Sequence, residues 1–147
     1  MFCKVIITGR LARDPDIRHF EKGGSVCKLR VLTSRAWRDR DSGEMREKVE
    51  GHNIAIYVEA LAKRTAENCR KGDIVLIEGT LETRRWEDGD NGYRYITEVA
   101  IRPFLGGLRR MPLAKREGEP APETPEMDDP FDGADGFNGF EDPDFPI

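Results

Sequence analysis

Two tryptophans stand beside arginines: Trp37 in Arg35-Ala36-Trp37-Arg38-Asp39-Arg40, and Trp86 in Arg84-Arg85-Trp86-Glu87. Exposed aromatic rings interleaved with cations suit a polyanion that carries unpaired flat rings. Every base of a single strand offers a π-face, worth about 1–3 kcal/mol when stacked, while Arg and Lys neutralise phosphates without reading sequence. The same residues fit a plainer arrangement, a Trp packed on a sheet with arginines stacked over it, and residue type alone does not choose between the two. Tyr57 closes the run Asn53-Ile54-Ala55-Ile56-Tyr57-Val58. On spacing it could face a barrel interior or a binding groove, with the structural role slightly favoured.

Other chemistries find no support. Cys3, Cys27 and Cys69 lie far apart with no C-x-x-C pair, and His19 and His52 are the two histidines. Neither a zinc site nor a Cys/His nucleophile is suggested. No G-x-x-x-x-G-K-[ST] or G-x-G-x-x-G phosphate loop occurs. Asp128, Asp132 and Gly133 have a calcium-loop look, but Pro130 occupies a ligand position and no Glu follows at the needed spacing. The expectation is a protein without catalysis, metal or cofactor.

The elements that must position the tryptophans show period two. Val5, Ile7 and Gly9 mark a first strand. After the Gly23-Gly24 turn, residues 26–33 mark a second, and Asp41-Ser42-Gly43 is a hairpin tip. Residues 53–58 give a third strand, residues 73–79 a fourth that can run on to Trp86, and residues 93–99 a fifth after the turn 88–92. The stretch Glu59 to Arg70 is instead rich in helix formers, with Leu61, Thr65, Ala66 and Cys69 on one face. Gly72 suits its C-terminal cap, and Arg70-Lys71 the negative end of its dipole. Three strands, one short helix and two strands is the order of the OB-fold, a five-stranded partly open barrel. A mainly β domain over residues 1–111 is expected.

The charge divides at the end of that domain. Of 147 residues, the first 112 hold 22 Lys and Arg against 17 Asp and Glu, whereas residues 113–147 hold 2 against 11. Residues 112–147 are dense in proline and without apolar periodicity, so a disordered acidic tail is expected there. Phe131, Phe137, Phe140, Phe145 and Ile147 are sparse apolar points in it, suited to a protein partner. No apolar run approaches the roughly 20 residues of a membrane helix, and residues 1–13 do not have the look of a secretory signal. No membrane association and a cytoplasmic location are expected.

Taken in order, these pieces resemble the bacterial single-stranded DNA-binding proteins over almost the whole chain. Lys4-Val-Ile-Ile-Thr-Gly-Arg-Leu11 with Asp14-Pro15 is similar to that family's first strand and turn. Thr33-Ser34-Arg35-Ala36-Trp37-Arg38-Asp39 with Gly43-Glu44-Met45 is similar to its second strand and long hairpin, and Arg70-Lys71-Gly72-Asp73 with Ile77 to Trp86 to its helix end and fourth strand. The resemblance implies an OB-fold homotetramer that wraps single-stranded DNA and recruits replication, recombination and repair proteins through its tail. It implies DNA stacking by Trp37, Trp86 and Tyr57, with Arg35, Arg38, Arg84, Arg85 and Lys71 as the nearby cations. Partner docking falls to Asp142, Asp144, Phe145, Pro146 and Ile147. Three departures stand out. Gly51 occupies a position where family members commonly have Trp, Asn53 and Glu59 occupy positions that are often basic, and the ending exchanges its aromatic and aliphatic residues. Two readings follow: a sequence-tolerant binder of single-stranded DNA, or a protein-interaction hub with only weak nucleic-acid binding.

Overall fold

The computed structural model describes residues 1–87 and 92–112. Within them the alternating segments become strands β1 (Val5–Leu11), β2 (Asp16–His19), β3 (Ser25–Arg38), β4 (Met45–Ile56), β5 (Ile74–Glu87), β6 (Tyr93–Ile101) and β7 (Gly107–Met111), with helix α1 (Glu59–Asn68) between β4 and β5. Five of the strands form a ring in the order β1-β3-β4-β6-β5, and β5 pairs back onto β1 over Val5↔Gly79 to Arg10↔Ile74, which closes it. The β4–β6 pairing is parallel, and the other ring pairings are antiparallel. This is the expected OB barrel with one helix.

The period-two pattern fills the barrel. Cys27, Leu29 and Val31 of β3 meet Ile54 and Ile56 of β4, Val75 and Ile77 of β5, and Val99 and Ile101 of β6 in one buried cluster. Ala62, Thr65 and Cys69 of the helix segment are buried, and Leu61 is half-buried against the same cluster. Ala62 is thus a fully buried member of the inward face that the spacing did not single out, while Ala66 is only half-buried.

Three further differences from the expected elements have local causes. The helix ends at Asn68, since Cys69 is already extended (φ −108°, ψ 144°). Gly72 lies past the cap, at φ +92°, in a turn whose N–H donates to the Leu11 carbonyl at 2.8 Å. Arg70 still serves the helix end: its Nη1 donates to the carbonyls of Ala66 and Cys69, both at 2.7 Å. Two short strands lie outside the expected set, β2 on β3 and β7 on β5. Finally, β3 and β4 are longer than the alternation suggested. They pair without interruption from Cys27↔Ile56 to Arg38↔Met45 and project as a two-stranded arm turned by Gly43 at φ +72°.

Candidate nucleic-acid interface

Because β3 and β4 pair without a bulge, side-chain parity can be followed from the core to the tip of the arm. The face that is barrel interior at Cys27, Leu29 and Val31 continues outward as Thr33, Arg35 and Trp37. The directly opposed residues Glu50, Lys48 and Arg46 of β4 share it. Trp37 is thus exposed (41%) on a face with three cations, Arg35, Arg46 and Lys48. Arg46 is tied to Asp39 (Nε to Oδ2, 2.8 Å), and Lys48 to Glu50 (Nζ to Oε1, 2.6 Å). Arg46 and Lys48 are themselves exposed in these pairs, so the cations can be redirected at little cost. Arg38 falls on the other face of the arm with Met45. The structure therefore joins Arg35 to Trp37 and separates Arg38 from both. It is the register that puts Arg46 and Lys48 on this face, which the even alternation of signed charges along Glu44 to Glu50 does not reveal.

A second layer covers the outside of the barrel. Even positions of β3 pair with odd positions of β4: Lys28 faces Ala55, Arg30 faces Asn53, and Leu32 faces Gly51. The Arg30 guanidinium lies against Gly51, and its Nη1 donates to Asn53 Oδ1 at 2.8 Å. Next to this patch, Glu98 of β6 is fully buried. It accepts from Arg84 Nε at 2.8 Å and Arg84 Nη2 at 3.1 Å, and its Oε1 also accepts the Tyr57 hydroxyl at 2.9 Å. Arg102 stacks over the Tyr57 ring at 4.4 Å and binds Glu82 through two bonds of 2.8 Å. Burial, and then the Glu98 carboxylate, push the Tyr57 phenol above its ordinary range. The bond from Arg102 holds the Glu82 carboxyl below its usual value. Tyr57 is half-buried on this outer surface, and Arg84, one of the expected phosphate cations, is the counter-ion of Glu98 with a side chain 10% exposed.

Arg85 takes the alternate position on β5 and is exposed, with its guanidinium 4.3 Å over the Tyr93 ring. Trp86 lies on β5 opposite Arg94 of β6; its side chain lies outside the described residues. Lys71 is exposed in the turn before β5, and its N–H donates to Asp14 Oδ1 at 2.7 Å. That turn is at the opposite end of β5 from Trp86. Asp142, Asp144, Phe145, Pro146 and Ile147, like the turn residues 88–91, lie outside the described residues. Among the described residues, no group of three or more His, Cys, Asp or Glu stands where it could hold a metal ion.

The fold of the chain is similar to that of a Plasmodium falciparum SSB in complex with single-stranded DNA, with a TM-score of 0.69 and 28% identity over 76% of this chain and 97% of that one. It is also similar to a deletion mutant of the single-stranded DNA binding protein from Thermus aquaticus, with a TM-score of 0.60 and 25% identity, covering 76% of this chain and 51% of that one. Residues 2–105, which include all five ring strands and the β3–β4 arm, match the single-strand binding protein family. The chain belongs to that family.

Proposed function

We propose that this protein binds single-stranded DNA without strong sequence preference and without catalysis. The observation that carries the reading is the Trp37 face: one exposed indole with Arg35, Arg46 and Lys48 on the same side of a projecting two-stranded arm. Such a surface offers stacking to any base and charge to any phosphate, and it contains no group arranged to discriminate base edges. Family membership and the single-stranded DNA in the Plasmodium falciparum complex support the same reading. Trp86, Tyr57, Arg38, Arg85 and Lys71 belong to the proposed DNA path; Arg84 enters it as the residue that fixes Glu98 beneath Tyr57.

The finer assignment is a cytoplasmic homotetramer that protects single strands in replication, recombination and repair. Its acidic tail, ending Asp142-Pro143-Asp144-Phe145-Pro146-Ile147, captures partner enzymes. A tethered segment with 11 acids and 2 bases also competes for the basic face at an effective concentration that can reach millimolar. Gly51 favours a second reading, a hub with weak DNA affinity, because this position offers no ring for stacking. Fluorescence anisotropy with labelled oligo(dT) and with a duplex of equal length separates the two. Tight binding of the single strand alone supports the first reading; weak binding of both, with partner capture intact, supports the hub.

A further inference from the structure

Paired strands β5 and β6 carry a face built from the odd-numbered positions of both strands. Its register pairs Leu81 with Val99, Thr83 with Thr97, and Arg85 with Tyr95, and Tyr93 follows two residues from Tyr95 on the same side. At Ile77 and Val99 this face is barrel interior. Beyond Gly79, where the β1 pairing ends, it emerges into solvent. Leu81 is 52% exposed, Tyr93 54% and Tyr95 67%. Thr83 and Thr97 join hydroxyls across the strands at 2.8 Å and floor the patch. The Arg85 guanidinium lies 4.3 Å over the Tyr93 ring, and among the described residues no ion pair engages it.

We propose that Tyr93, Arg85 and Tyr95 form a second stacking platform for a single strand, separate from the Trp37 face. The proposal rests on the reading of the chain as a single-strand binder. The two tyrosines stand two residues apart on one side of a strand, roughly 6.7 Å along it, so their rings can serve successive bases. Arg85, directly opposite Tyr95 and already stacked on Tyr93, supplies the charge for the phosphate between them. Large rings more than half exposed, beside an exposed cation stacked on one of them, match a polyanion that brings its own flat faces. Register also places Trp37 on β3 and Tyr95 on β6 along continuations of the same interior layer of the barrel.

The test uses the full-length protein with Tyr95→Leu, Tyr95→Phe and Trp37→Ala, titrated with labelled oligo(dT) while sedimentation velocity follows the DNA-free state. Loss of one stacked base corresponds to roughly 5- to 150-fold in affinity. Tyr95→Leu is expected to weaken binding at least fivefold, Tyr95→Phe to stay within twofold of the parent, and all three to sediment as the parent does. If Trp37→Ala weakens binding and Tyr95→Leu does not, the platform is wrong and the single-strand reading stands. If Tyr95→Leu changes the sedimentation of DNA-free protein with DNA affinity intact, the patch joins copies of the chain and the proposal fails. If neither Tyr95→Leu nor Trp37→Ala alters binding, the platform and the single-strand reading fail together.

Discussion

The Arg30 guanidinium fills the space that a side chain at Gly51 would occupy: a Cβ there would stand 2.6 Å from Arg30 Cζ and 2.8 Å from its Nε. Gly51 is outside the left-handed backbone region, so what a side chain there must overcome is this neighbour and not the backbone angle. The cation is held in place by Asn53, whose Oδ1 accepts from Arg30 Nη1 at 2.8 Å. The obstacle is the far end of a flexible side chain. Gly51→Trp is therefore expected to fold, to displace Arg30, and to bind oligo(dT) roughly tenfold more tightly through one added stack. Equilibrium titration of the variant against the parent checks this, and weaker binding would show that the seated Arg30 matters more than a ring.

The neighbouring arginines 84 and 85 should behave oppositely. Arg84→Ala leaves the buried Glu98 carboxylate without its bidentate partner, which costs about 3–5 kcal/mol of stability. Arg85→Ala removes an exposed cation, so stability should change by less than about 0.5 kcal/mol while oligo(dT) affinity falls. Denaturant melts and titrations on the same two proteins decide it. Equal stability for both would mean that the Arg84–Glu98 pair holds nothing together.

That difference was hidden from the sequence, where Arg84 and Arg85 are adjacent and alike. Their fates are set by a partner 14 residues away, Glu98, which only the β5–β6 register brings under Arg84. The barrel itself was legible, because Val5 with Ile7 and Cys27 with Leu29 and Val31 alternate into its core, and Gly43 marked the arm tip. Strands β2 and β7 were not: Asp16-Ile17-Arg18-His19 and Gly107-Leu108-Arg109-Arg110-Met111 are short edge pieces with little alternation to read. Trp37 with Arg35 could be read from their spacing. The split of Arg38 onto the opposite face, and the exposure of Tyr93 and Tyr95, needed the uninterrupted pairing of the arms.

Lys28 should give stability an unusual alkaline rise. It is 2% exposed, and burial, then Arg18 and Arg84, lower its pKa to about 8, partly offset by Glu98 and Asp16. Between about 8 and the ordinary 10.5 the unfolded chain holds a proton that the folded chain has released. Its contribution to stability therefore increases with pH across that window. Lys28→Met is expected to raise the melting temperature at pH 7 by a few degrees, the shift that about 1 kcal/mol gives in a domain of this size. The advantage should shrink toward pH 10. A gain that is constant with pH would assign the effect to packing.

The thiols should react in two classes. Cys3 is exposed, whereas Cys27 and Cys69 are buried. Burial, Asp16 and Cys69 push the Cys27 thiol up to about 12, and burial also raises Cys69. At pH 8 one thiol per chain should titrate rapidly with a chromogenic disulfide, and the other two only in denaturant. Three fast thiols would mean that the barrel opens readily in solution.

Tryptophan emission during oligo(dT) titration, repeated over a range of salt concentrations, tests single-strand binding most directly. Stacking on Trp37 should quench the emission to a saturable end point, and Trp37→Ala should remove a large part of the quench. Log affinity should fall linearly with log salt, with a slope of about −0.7 for each phosphate paired. Engagement of Arg35, Arg46, Lys48 and Arg85 gives a slope near −3. An unchanged emission with a flat salt response would contradict single-strand binding at this surface.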